Sequence, residues 1–180
     1  MGTTASVGGP DPDRVLEEDV VDGNLREGTG WARKYYSSYD RKGRLMYEGH
    51  FLNGNRHGGG KLVWVCGAEY DGDWKEDKLN GYGTITWMSG MSYQGEWLDN
   101  KFHGRGTLRW KNGRVYEGSW ENSKHNGMGI LTYTADDPRR RTSYEGEWMK
   151  GRRHGQGIMR WQNGAQYAGD WVGGKRCERH

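Results

Sequence analysis

One pattern recurs along most of this 180-residue chain and leaves little freedom in how it can fold. The triplet Tyr-x-Gly stands at Tyr47-Glu48-Gly49, Tyr70-Asp71-Gly72, Tyr93-Gln94-Gly95, Tyr116-Glu117-Gly118, Tyr144-Glu145-Gly146 and Tyr167-Ala168-Gly169, at spacings of 23, 23, 23, 28 and 23 residues. Two residues after each Gly comes an aromatic: Phe51, Trp74, Trp97, Trp120, Trp148 or Trp171. Eleven residues after the Tyr, a Gly-x-Gly begins at Gly58, Gly81, Gly104, Gly127 and Gly155. Six residues further stands Trp64, Trp87, Trp110, Tyr133 or Trp161. Self-similarity at such a period marks stacked supersecondary units rather than one globular core.

Side chains alternate across a strand, so Tyr, Gly and Trp at offsets 0, 2 and 4 from the Tyr share one face. Offsets 11, 13, 15 and 17 do the same on a second strand, with Leu62, Ile85, Leu108, Leu131 and Met159 at the apolar place. Offset 7 is Gly54, Asp77, Asn100, Ser123, Gly151 and Gly174, residue types suited to a turn with positive φ. Ser89-Gly90, Asn112-Gly113 and Asn163-Gly164 read as two-residue connections of type I′ or II′ between units. Each unit is therefore a short antiparallel hairpin. Gly ordinarily weakens a strand; here it leaves room for an aromatic ring to lie flat on the backbone.

Composition agrees. Gly supplies 32 residues, while the sequence contains only 22 Val, Ile, Leu and Phe. That excludes an aliphatic α/β core, and Gly at this density excludes coiled coils. Disordered chains are poor in aromatics, whereas this one has 10 Trp and 11 Tyr and a net charge of only +3. No run of 18 apolar residues is present, so no helix is expected to cross a membrane. Cys66 and Cys177 form no CxxC, and no signal-like segment opens the sequence, which gives the expectation of a reduced, cytoplasmic protein. Residues 1–23 carry six acids against Arg14, or −5, leaving +8 on the remainder.

The motif resembles the MORN repeat, which runs Tyr-x-Gly-x-Trp-x-x-Gly-x-x-His-Gly-x-Gly, and Tyr93–Gly106 and Tyr144–Gly157 match it best. Departures are Phe51 for Trp, Asn80 and Asn126 for His, and an insertion after Tyr133 containing Asp136, Asp137, Pro138, Arg139, Arg140 and Arg141. The resulting expectation is an all-β fold. It is an elongated, single-layer, twisted antiparallel meander of 11 to 13 strands, with units starting at 47, 70, 93, 116, 144 and 167. Residues 24–46 form a degenerate first unit with a long turn at 34–43, and the last unit lacks its second glycine strand and is expected not to close its hairpin. Residues 1–23 form an acidic leader, flexible or folded as a short helix from Asp11 to Gly23 that covers the first repeats near Trp31 and Phe51.

No catalytic constellation emerges. His57, His103 and His154 share an offset but lie roughly 19 Å apart at about 4.8 Å per strand, too far for one metal ion; they read as turn or edge residues bonded to backbone. The Gly-x-Gly pairs precede strands, not the helix a phosphate loop needs. The expected role is a non-enzymatic scaffold, without metal or cofactor, that binds a protein along Trp64, Trp74, Trp87, Trp97, Trp110, Trp120, Tyr133, Trp148 and Trp161. Twist is expected to curve that surface into a groove. A helical or acidic partner segment, self-association through the sheet ends, and cytoskeletal, basal-body or ciliary (radial-spoke) assemblies are what the family resemblance and the +8 body imply. The rival reading uses offset 8, where Lys78, Lys101, Lys124, Arg152 and Lys175, reinforced by Arg56 and Arg153, form a basic edge for anionic phospholipid. Gly2 fits a loose myristoylation pattern. Nucleic-acid binding is not expected, because the rings are committed to stacking between repeats.

Overall fold

In a computed structural model, residues 21–23, 25–37 and 40–177 are described. They form one 14-stranded antiparallel sheet in which every strand neighbours the next in sequence. The strands are β1 (Val21–Gly23), β2 (Gly30–Tyr35), β3 (Arg44–Leu52), β4 (Asn55–Trp64), β5 (Glu69–Lys75), β6 (Lys78–Thr86) and β7 (Ser92–Leu98). The meander continues with β8 (Lys101–Arg109), β9 (Val115–Glu121), β10 (Lys124–Thr132), β11 (Arg141–Met149), β12 (Arg152–Trp161), β13 (Gln166–Val172) and β14 (Lys175–Arg176). No described residue is helical. The helix expected over the leader lies outside the described residues except at its end, where Val21–Gly23 instead pair with Ala32–Lys34.

The core is a ladder of rings on one face. Tyr47, Tyr70, Tyr93, Tyr116 and Tyr144 are fully buried. Each lies on the second Gly of its own repeat: a Cβ built on Gly106 would fall 2.3 Å from the Tyr93 hydroxyl oxygen, and one on Gly60 would fall 2.1 Å from that of Tyr47. The opposite Gly is equally constrained, since a Cβ on Gly95 would sit 2.4 Å from the Gly106 Cα. The glycines are therefore required by ring packing. The hydroxyl of Tyr93 donates to the Glu96 carbonyl at 2.9 Å, and Tyr47, Tyr70, Tyr116, Tyr144 and Tyr167 repeat the bond three residues on. Burial raises the pKa values of Tyr47, Tyr70, Tyr93, Tyr116 and Tyr144, that of Tyr144 to about 12, so these five hydroxyls stay protonated and keep their bonds at any ordinary pH.

The Trp of each repeat joins it to the one before. Trp97 packs edge-on against Tyr93 at 5.2 Å and against Tyr70 at 5.4 Å, and its Nε1 donates to the Gly83 carbonyl at 3.1 Å. Trp74, Trp120, Trp148 and Trp171 do likewise to Gly60, Gly106, Gly129 and Gly157. Edge-to-face pairs contribute about 0.5–1.5 kcal/mol each beyond area burial. The indole nitrogens of this ring stack are thus paired across the repeat boundary, which ties the units into one body.

Turns follow the residue pattern with two differences. Both central turn residues within a repeat have positive φ, as at Glu76 (49°) and Asp77 (64°) or Asp99 (49°) and Asn100 (65°), the type I′ signature. The connections between repeats are not two-residue turns. In Trp87–Met91 the Trp87 amide donates to the Met91 carbonyl, the Gly90 amide donates to the Trp87 carbonyl, and Gly90 has φ 84°, which makes a three-residue loop with a glycine bulge. Ser89, Asn112 and Asn163 use their side chains to accept the amide two residues on, a job for which positive φ is unnecessary. The last unit does close a short hairpin, contrary to expectation: Trp171 pairs with Arg176 across Gly173-Gly174 (φ 57° and 89°), and the Tyr167 hydroxyl reaches the Cys177 carbonyl.

Candidate functional site

The Trp and Tyr side chains proposed as a contact surface divide into two columns. Trp74, Trp97, Trp120 and Trp148 are 4–7% exposed and belong to the ladder. Trp64, Trp87, Trp110 and Trp161 are half-buried on the same face, while Tyr133 in that column is buried. No second layer of described residues crosses this face, because the sheet is a single layer.

Between the columns runs a third that spacing alone did not single out. Arg56, Leu79, Phe102, His125, Arg153 and Arg176 stand at offset 9, two residues before the first glycine of the pair, and strand alternation puts them on the ring face. A two-residue bulge separates this position from the glycine pair: Gly72 faces Gly83 while Trp74 faces Leu79. Side-chain parity survives the bulge. Phe102 stacks on Tyr93 at 3.8 Å, and His125 stacks on Tyr116 at 3.8 Å. Burial, helped by the nearby Arg114 charge, lowers the His125 pKa to about 4, so the imidazole is neutral at pH 7. Extending the glycine alternation backwards by one step would have found this column.

The column begins and ends beside matching hollows. The first is lined by Lys42, Arg44, Arg56, Trp64, Trp74 and Asp77, with a volume of about 320 Å³. The second, about 490 Å³, is lined by Arg139, Arg141, Arg153, Trp161, Trp171, Gly174, Lys175 and Arg176. Each lies beside a long turn braced in the same way. Asp40 pairs with Arg44 at 2.6 Å, and Asp137 pairs with Arg141 at 2.7 Å. Arg44 also lies over Tyr36 and Arg141 over Tyr133, both at 4.0 Å. The Arg44 bonds hold the Asp40 pKa at about 2, and Arg141 depresses that of Asp137. The insertion after Tyr133 is thus an ordered turn.

Basic residues at offset 8 are exposed along one edge. Lys78 reaches Asp99 at 3.0 Å and Lys101 reaches Asn122 at 3.3 Å, so these two hold the next repeat's turn. Lys124, Arg152 and Lys175 are exposed, whereas Arg56 and Arg153, expected to reinforce that edge, turn to the ring face. On the opposite face Asp73, Glu96 and Glu147 accept the bulge amides of Tyr82, Arg105 and Gln156. Those acids perform the backbone bonding expected of the histidine column. The His154 side chain does not: its Nδ1 is buried without a partner. No three His, Cys, Asp or Glu side chains converge among the described residues. Gly2 lies outside them.

No curated protein matches the chain. Among solved structures, the SAS-4 (dCPAP) TCP domain of Drosophila melanogaster, in complex with a proline-rich motif of Ana2 (dSTIL), is similar over 93% of this chain and 99% of its own. Identity is 10% and the TM-score 0.39. The MORN repeat model matches residues 47–66, 70–92, 93–113, 116–137, 144–166 and 167–178, units that each start at a ladder tyrosine, the first five of them fully buried. MORN repeats often serve as protein- or lipid-binding scaffolds and are generally not catalytic. By its six units of ring ladder and a family model that matches most of its length, the chain belongs to the MORN repeat family.

Proposed function

We propose that this protein is a non-enzymatic scaffold that binds a protein segment along its ring-bearing face. One observation carries the reading: Trp64, Trp87, Trp110 and Trp161 form a regular column of half-buried indoles with Leu79, Phe102 and His125 beside them, and no described layer covers it. Half-desolvated Trp is the usual anchor of a protein contact. The proposed setting is a cytoskeletal, basal-body or ciliary assembly in the cytoplasm, which rests on the resemblance of the repeat. Phospholipid binding through the basic edge has weaker support, because Lys78 and Lys101 are engaged with turns and acids crowd the opposite face.

The test compares pull-downs from extract with wild type, a Trp87→Glu/Trp110→Glu variant, and a Tyr82→Glu/Met128→Glu variant on the opposite, exposed face. A partner kept by wild type and the second variant but lost by the first is the expected result. Loss by the second variant alone removes the reading. Salt-sensitive co-sedimentation with anionic liposomes, lost on charge reversal of Lys78, Lys101, Lys124 and Arg152, would move the function to the edge.

A further inference from the structure

We infer that the hollow around Arg153 is a carboxylate-binding site that receives an Asp or Glu from an acidic, aliphatic segment of a partner protein. This deepens the proposed function and rests on it for the occupant being a protein. The molecule carries its own reference for the site. In the first hollow, Arg56 Nε donates to Asp77 Oδ1 at 2.8 Å, and Arg56 Nη2 donates to the Asp77 carbonyl at 2.9 Å. The Arg56 amide also donates to Asp77 Oδ1, at 3.0 Å. In the second hollow, Arg153 Nη2 donates to the Gly174 carbonyl at 2.7 Å, so the guanidinium is held by the equivalent backbone bond. The carboxylate is what differs, since Gly174 stands where Asp77 stands, 21 residues on from its arginine in both cases.

The surroundings amplify that gap. Arg56 lies over Trp74 at 4.2 Å and Arg153 over Trp171 at 4.3 Å, so both guanidinium groups are pressed on an indole. Where the first hollow has Leu79, the second has Arg176. Its cations Arg139, Arg141, Arg153, Lys175 and Arg176 face one paired carboxylate, Asp137; in the first, Lys42, Arg44 and Arg56 face two, Asp40 and Asp77. Among the described residues Arg139, Arg153 and Arg176 make no ion pair. Burial lowers the Arg153 pKa, with the Arg141 and Arg139 charges adding to it, although it stays protonated at pH 7. A half-buried guanidinium without a counter-charge is costly, and an arriving carboxylate recovers that cost. Met159, Trp161 and Trp171 beside the cations suit an aliphatic neighbour of the acid.

The test uses the full chain and two short labelled peptides, one alternating Leu with Glu and one alternating Leu with Gln. Gly174→Asp copies Asp77. A Cβ there meets nothing within 4 Å, so space is free; the φ of 89° strains any L side chain, a cost that Gly174→Asn shares, and Asp77 itself sits at 64° in the equivalent turn. Gly174→Asn keeps the size and turn preference without the charge. Wild type is expected to bind the Leu/Glu peptide and not the Leu/Gln peptide. Gly174→Asp weakens that binding roughly tenfold or more, and Gly174→Asn changes it by less than about threefold. Equal binding of both peptides, no binding of either, or Gly174→Asp behaving as wild type overturns the site. None of these touches the indole face, which the Trp87/Trp110 variant judges separately. Binding that Gly174→Asp abolishes on phosphatidylcholine/phosphatidylserine vesicles, but not on peptide, assigns the hollow to lipid and overturns the protein occupant. A tenfold gain in peptide affinity on removing residues 1–20 shows instead that the chain's own acidic leader fills it.

Discussion

Arg56 and Arg153 occupy one position in two repeats, lie over equivalent indoles and grip equivalent backbone carbonyls, yet only Arg56 is neutralised from within the chain. The repeat supplies the pose of the guanidinium; a single turn residue, Asp77 or Gly174, decides its electrostatics. Burial by itself would raise the Asp77 carboxyl, but the Arg56 guanidinium and amide outweigh it and lower its pKa. Repetition therefore builds several equivalent frames, and function enters where one frame is left electrostatically incomplete.

What the two hollows share is the ring ladder, so its rupture should erase their difference along with the fold. Gly106→Ala forces a methyl to within 2.3 Å of the Tyr93 hydroxyl in the middle of the sheet. The expected loss is about 4 kcal/mol, above the usual overpacking range because neither backbone nor ring can retreat. Urea unfolding measures it, and a loss below about 1 kcal/mol would show that the ring does not lie on the glycine.

His125 stands between the hollows and extends the contrast to pH. Folded, it titrates near 4, against 6.5 for the free side chain. As pH falls, the unfolded chain takes the proton first, so this contribution is complete above about 6.5 and is lost progressively down to about 4. The full loss approaches about 3 kcal/mol. Thermal melts of wild type and His125→Phe, which copies Phe102, should diverge across that window; parallel pH curves would remove His125 as the cause.

The ion pair itself can be broken. Asp77→Asn leaves Arg56, only 7% exposed at its side chain, without its counter-charge and should cost about 2 kcal/mol. Arg153→Met removes a charge that has no internal counter-charge, together with one bond to the Gly174 carbonyl, and should be close to neutral. Equal losses for the two variants in chemical denaturation would contradict the asymmetry. The smallest effect expected is the repair: Gly174→Asp should exceed Gly174→Asn in stability by about 1 kcal/mol through the new pair, since both carry the strain of a side chain at φ 89°, read as a higher denaturation midpoint. A lower midpoint would mean that the Asp side chain does not reach Arg153.

Much of the fold was legible from spacing because a strand repeats every two residues. Tyr at 0, Gly at 2 and Trp at 4 had to share a face, and a turn had to fall at offset 7. The glycine–ring contact was readable for the same reason, since only one residue type admits a ring against the backbone. The contact surface was less legible. Offsets 4 and 17 both carry Trp, and only stacking showed that Trp97 is sealed between Tyr70 and Tyr93 while Trp87 remains half-buried at the face. Contacts between repeats decide the rest. Each turn docks on the hairpin before it, so Asp77 meets Arg56, Asn100 meets the Leu79 amide and Ser123 meets the Phe102 amide, always 21 residues apart. A period of two orders neighbours along one strand and says nothing about which side chain arrives from the next unit. That is why the ladder, its glycines and its meander were determined by the sequence alone, whereas the pairing of Arg56 and the unpaired state of Arg153 were decided by the stacking of the repeats.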